Sequence, residues 1–160
     1  FLDRYNPDRN RAEFEQAWNE RVSDLGTRAQ VYEPNYEGSP VVAGPPNGVS
    51  SAHGAHAFKA RAGHHLTPTK LTSGRDVYEE LSDGFTLLAF DAEDGDVAKF
   101  AEAARSMRVP LRQVRDSDGS ARAAYEASLV LVRPDQYVVW TGDRAPSDVG
   151  ALLAMVTGRG

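Results

Sequence analysis

Two stretches of the chain are apolar almost without interruption, Gly84–Phe90 (GFTLLAF) and Leu129–Val132 (LVLV). Short runs of this kind, bounded by turn residues, predict buried strands. After the first run, Asp91, Asp94 and Asp96 precede Val97, Phe100, Ala101, Ala104 and Arg108. That spacing predicts an amphipathic helix, and carboxylates at its start suit the positive end of the helix dipole. Pro110 opens another strand, PLRQVRD, with Leu111 and Val114 as its apolar members. Asp116–Gly119 reads as a turn and Ala121–Ala127 as a short helical piece. LVLVR and QYVVW, joined by Pro134 and Asp135, predict an antiparallel hairpin. Ser147 stands where it could cap a last helix with Val149, Leu152, Leu153 and Val156 on one face. The order β-α-β, connector, β-β-α is that of a thioredoxin-like α/β sandwich. The right-handed crossover rule places the first helix on one sheet face and leaves the other face for the last helix.

Upstream the pattern changes. Phe14, Ala17, Trp18, Val22 and Leu25 form one stripe of a helix over residues 8–25, with Gly26 placed to end it. The stripe needs cover, from its own domain or from another body. Residues 33–63 are rich in Gly, Pro, Ser and Ala, hold no sustained periodicity, and read as a long loop, mobile in part. Val41 and Val42 are a short strand or a buried anchor within it. The expected division is a helical segment at 1–30, an extended loop or linker at 31–63, and the thioredoxin-like domain at 64–160.

Composition narrows the function classes. The chain has 160 residues, net charge −5, 41% hydrophobic and 26% charged residues, an ordinary globular balance. Basic residues are interleaved with acids, so no clustered basic face for nucleic acid is expected. No run reaches the length of a membrane span. Cysteine is absent, which removes disulfides and thiol chemistry and fits a reducing, cytoplasmic setting. FLDRYNPDRN is no signal peptide and lacks an initiator Met, so the chain is expected to begin inside a longer polypeptide or at a cut.

No catalytic constellation emerges. The turn where a redox-active thioredoxin-like domain carries Cys-x-x-Cys is here Asp91-Ala92-Glu93-Asp94-Gly95-Asp96. The proline expected before the third strand is replaced by Ala127 and Ser128. Thiol–disulfide exchange is therefore excluded. His53 and His56 lie three apart between glycines and alanines, and His64 and His65 are adjacent; they read as exposed loop histidines rather than metal ligands. Ser39, Ser50, Ser51 and Ser73 lie in no Gly-x-Ser-x-Gly elbow, and there is no Gly-rich phosphate loop. Asp116 and Asp118 sit in a turn too open for paired acid catalysis. No catalytic, cofactor-binding or metal residue is expected. Arg61 and His64, at the change from loop to structure, and Trp18 on the early helix are the candidates for interface contacts. Arg61 could pair with a carboxylate or a carbonyl, and the alternative for Arg61 and His64 is local hydrogen bonding that fixes the loop on the domain.

The segments ARAGHHLTPTKLTSGRDVYEEL, GFTLLAF, VPLRQVRD and LVLVRPDQYVVWTG together resemble the C-terminal domain of FAD-dependent aromatic hydroxylases, the class A flavoprotein monooxygenases. In that family the domain opens with Gly-x-Arg-x-Pro-His, runs through Gly-Phe-Thr-Leu-Leu, and closes with Leu-Val-Arg-Pro-Asp-(Gln/Gly)-x-Val-x-Trp. Arg61, His64, residues 84–88 and Leu131–Trp140 match, while Lys59 replaces the Gly and Gly63 the Pro. The tract YEGSPVV is similar to the family's Tyr-x-x-Ser-Pro tract. The resemblance implies a parent enzyme that reduces FAD with NAD(P)H and hydroxylates an aromatic ring. It implies that residues 1–30 are the helical remnant of an upstream flavin-binding core. The fragment itself would bind no cofactor and would serve stability and homodimer assembly against that core. The alternative is a stand-alone thioredoxin-like interaction module without redox activity. A third reading, an enzyme working through its loop histidines, has only those side chains behind it.

Overall fold

In the computed structural model both apolar runs lie side by side in one sheet. The structure describes residues 8–28, 31–54, 58–117 and 119–160, without the side chains of 22–28 and 31–32. Val22, Leu25, His56 and Asp118 of the sequence reading thus lie outside the described side chains. Helix α1 is Arg11–Arg28. Strands β1 (Val31–Asn35) and β2 (Ser51–Gly54) pair antiparallel in a small sheet. The main sheet has the order β4-β3-β5-β6, with β3 at Phe85–Phe90, β4 at Leu111–Asp116, β5 at Leu129–Val132 and β6 at Val138–Gly142. β3 runs parallel to β4 and antiparallel to β5, which pairs antiparallel with β6. Helices α2 (Asp94–Met107), α3 (Ser120–Tyr125) and α4 (Val149–Val156) complete the mixed α/β order that the pattern predicts.

Continuous apolar runs are required because the sheet is covered on both sides. One face sets Leu87, Ala89, Leu129, Leu131 and Val139 against Val97, Phe100 and Ala104 of α2 and Val149, Leu152 and Leu153 of α4. The other sets Leu88, Phe90, Val130, Val132 and Val138 against Tyr125 of α3 and Leu66, Leu71 and Val77. The last helix therefore shares the face of the first, contrary to the expectation from the crossover rule. The second face is already occupied by residues 60–81, whose apolar members Ala60, Leu66, Leu71 and Val77 follow neither a helix nor a strand period. A short 3₁₀ turn at Val77–Glu80 in that stretch carries a capping box between Asp76 and Glu79.

Val138 opposes Val132 while Trp140 opposes Leu131, so Val139 is an extra residue, a β-bulge. The bulge lets Val139 and Trp140 both reach the α2 face. It also turns the Val139 carbonyl outward to accept from Ala43 N at 2.9 Å.

Other local expectations are corrected. Helix α1 runs past Gly26 to Arg28, since a glycine weakens a helix without ending it. Residues 33–63 are not loop throughout: β1 ends and β2 lies within them, joined by pairing too distant in sequence for periodicity to show. Val42 is a buried anchor outside any strand. Arg108 is not part of α2 but its left-handed C-cap, φ 55°. The cap of α4 is Asp148, whose carboxylate accepts from Ala151 N at 2.8 Å; Ser147 stands one residue outside.

Candidate interface site

The loop after β1 is folded onto the start of β6 by backbone bonds. Tyr36 N donates to Gly63 O at 2.7 Å, Gly63 N to Val138 O at 2.8 Å, and Val138 N to His64 O at 2.9 Å. His64 N also donates to Arg61 O at 3.0 Å, closing a tight turn. Glu37 is thereby brought to residues that lie 24 and 27 positions on, and one oxygen, Oε1, serves both. Arg61 Nη2 lies 2.5 Å from it and His64 Nε2 2.9 Å. Glu37 and His64 side chains are 12% and 6% exposed, whereas Arg61 is 49% exposed. A carboxylate so placed accepts the Nε2 proton of His64 and fixes its ring.

His64 is thus buried, not an exposed loop histidine, because its neighbours Ala62 and Gly63 are drawn against β6. A carboxylate–imidazole pair is the beginning of a nucleophilic triad, yet His64 Nδ1 is buried and without a hydrogen-bond partner among the described residues. No nucleophile meets it among the described residues; the pair, with Arg61, ties the loop after β1 to the 61–64 turn. His65 points elsewhere, its Nε2 3.1 Å from Gln136 Oε1. His53 is exposed on β2. Among the described residues no group of three or more His, Asp or Glu could hold a metal. No helix there is long and apolar enough to cross a membrane. Trp18 is 47% exposed, stacked on Phe14 with ring centroids 6.0 Å apart, and belongs to neither core cluster. Arg61 and His64 are therefore brought together by Glu37, a partner that sequence spacing does not reveal.

The two corners where a thioredoxin-like domain would carry chemistry are closed. At the start of α2, Asp96 is 2% exposed and receives Arg144 Nε at 2.5 Å and Lys99 Nζ at 3.3 Å. Asp94 pairs with Arg115 at 2.8 Å. Before β5, buried Ser128 donates its N–H to Asp143 Oδ1 at 3.2 Å and accepts from Arg122 Nε at 2.8 Å. The acidic turn Asp91–Asp96 also opposes a dinucleotide pyrophosphate, which needs bare N–H groups at a helix start. FAD does not fit this corner.

The Arg144 hydrogen bond, helped by Lys99, holds the Asp96 carboxyl below its ordinary value against the opposing effect of burial. A group with a depressed folded pKa stabilises the fold above its ordinary pKa and loses that contribution as pH falls through the folded value. Asp96→Asn should therefore melt lower than the parent at neutral pH, and the gap should narrow below about pH 4, near the ordinary carboxylate pKa. Thermal unfolding across an acid pH series checks it; a gap independent of pH would overturn the assignment.

Comparison with known proteins bears on the same segments. Residues 59–160 match the family described as aromatic-ring hydroxylase, C-terminal. An FAD-dependent monooxygenase, apdD of Emericella nidulans, is 36% identical over 102 residues, covering 60% of this chain and 16% of that protein. The rebeccamycin biosynthetic enzyme RebC with reduced flavin is similar at a TM-score of 0.66 and 34% identity, over 76% of this chain and 22% of that one. RebC-10x, native and K252c-bound, is similar at a TM-score of 0.74 and 30% identity, over 96% of this chain and 29% of that one. This chain thus spans less than a third of the length of each of these relatives. With the family matched across the whole main sheet and all of α2, α3 and α4, the chain belongs to the aromatic-ring hydroxylase C-terminal domain family.

Proposed function

We propose that the chain is the C-terminal, non-catalytic thioredoxin-like part of an FAD-dependent, NAD(P)H-using aromatic-ring monooxygenase, where it supports stability and dimer assembly. The carrying observation is a family match over residues 59–160 on a body whose α2 corner is closed by Asp96, Arg144 and Lys99. Flavin, nicotinamide and aromatic substrate belong to the remainder of that enzyme. The helical segment 1–30 belongs with the flavin-binding core, 31–63 connects it, and 64–160 forms the appended domain.

The deciding experiment is the intact mass and visible spectrum of the protein from its native source. A yellow protein several times heavier than 17.4 kDa, bleached by NAD(P)H, is expected. A colourless protein of this mass would replace the proposal with a stand-alone interaction module.

Trp18 supplies a mechanical test in that full protein. Trp18→Ala should weaken assembly, by about 3–5 kcal/mol where the ring is fully covered by the core or a second subunit. An unchanged dimer with an unchanged melting temperature would refute this.

A further inference from the structure

Four rings form a continuous row across the surface beside the β5–β6 turn. Tyr36 meets Tyr137 edge-on at 4.9 Å between centroids, Tyr137 meets His65 edge-on at 5.4 Å, and His65 meets Tyr78 at 5.9 Å. Tyr36 is 43% exposed, His65 is exposed, and Tyr137 and Tyr78 are half-buried. The rings are held in place: Tyr137 Oη donates to Pro34 O at 3.4 Å, Tyr78 Oη donates to Leu66 O, and His65 Nε2 is 3.1 Å from Gln136 Oε1. A surface whose aromatic rings are already fixed pays little ordering entropy on contact. Tyrosine is also among the residues that dominate binding at interface centres.

We infer that this row is the surface that receives the flavin-bearing remainder of the same polypeptide, an inference that rests on the reading under Proposed function. The location selects that occupant. Tyr36 directly follows β1, and Tyr137 bonds to Pro34 within β1, so the row lies at the root of the segment through which the chain comes in from α1. The matched family is described as a C-terminal part, and this chain covers only 16–29% of the relatives' length. A body tethered through α1 and β1 is held beside the row at high effective concentration. Other surfaces suit it less. The open edge of β4 displays Arg112 and Arg115, each tied to a carboxylate, a charged guard against strand addition. The groove between α2 and the start of α4 is lined by Lys99, Glu102 and small side chains.

Hydroxyl-radical footprinting of the full-length protein tests this, with Phe58 (73% exposed) and Met155 (42% exposed) as internal references. Tyr36 and His65 should be labelled several-fold more slowly than their exposure in this domain implies, while Phe58 and Met155 label in proportion to theirs. Tyr36→Ser should raise the labelling of His65. In a yellow full-length protein, Tyr36 and His65 reacting in proportion to their exposure here would overturn the docking assignment alone. Protection that vanishes on dilution to monomer would assign the row to a second copy and overturn it too. A colourless protein of 17.4 kDa would overturn the broader reading and this inference together.

Discussion

Phe100→Ala is expected to lower the unfolding free energy by about 3–5 kcal/mol, the usual cost of truncating a fully buried aromatic ring. Phe100 is 0% exposed at the centre of the α2 face, and its ring lies 5.3 Å from the Trp140 ring. Leu87, Leu129, Leu131 and Leu153, from β3, β5 and α4, belong to the same core cluster, and a packed core relaxes only partly into the space a deleted ring leaves. At about 2–4 °C per kcal/mol for a chain of this size, the melting temperature should drop by about 6–20 °C. Met155→Ala, on the exposed side of α4, should stay within about 0.5 kcal/mol of the parent. Equal melting temperatures for the two variants would mean that α2 does not seat on the sheet as described.

The second large effect is at Gly63. Its φ is +94°, in the region that favours glycine, and a Cβ there would lie 2.6 Å from Glu37 N and 2.8 Å from Glu37 Cα. Gly63→Ala therefore meets a left-handed backbone costing about 1–2 kcal/mol and a backbone collision costing about 1–3 kcal/mol. Gly74→Ala separates the two, because Gly74 has φ +80° with nothing within 4 Å of its Cβ position. It should show the strain alone. Gly63→Pro should be at least as damaging: a ring with φ near −65° cannot take this conformation, and the N–H that donates to Val138 O disappears. The family pattern that this stretch resembles has Pro at that position. The departure is thus matched to the conformation that carries Tyr36 and Glu37 onto Arg61 and His64. Thermal melts of the three variants check the order; a Gly63→Ala melt equal to that of Gly74→Ala would remove the collision.

The strands β3 and β5, the helices α2 and α4 and the β5–β6 hairpin were legible in the residues. Each is specified locally: an apolar run buried on both faces, a 3.6-residue stripe, or two runs a short turn apart. The closing of the α2 corner was half legible, since the acidic turn and the missing thiols were visible while Arg144, 48 positions on, was not. The sequence leaves Arg61 open to a carboxylate or a carbonyl, and Glu37 is hidden because no period links a glycine-rich loop to a turn 24 residues later.

What the sequence by itself determined is therefore the mixed α/β order and the absence of thiol chemistry, because backbone period and residue type act within a few positions. The tertiary structure alone decided that α2 and α4 share one face, that residues 60–81 fill the other, that His64 is buried on Glu37, and that four rings align on the surface. Those outcomes depend on contacts between residues distant in the sequence. Chain closure, rather than local preference, sets them.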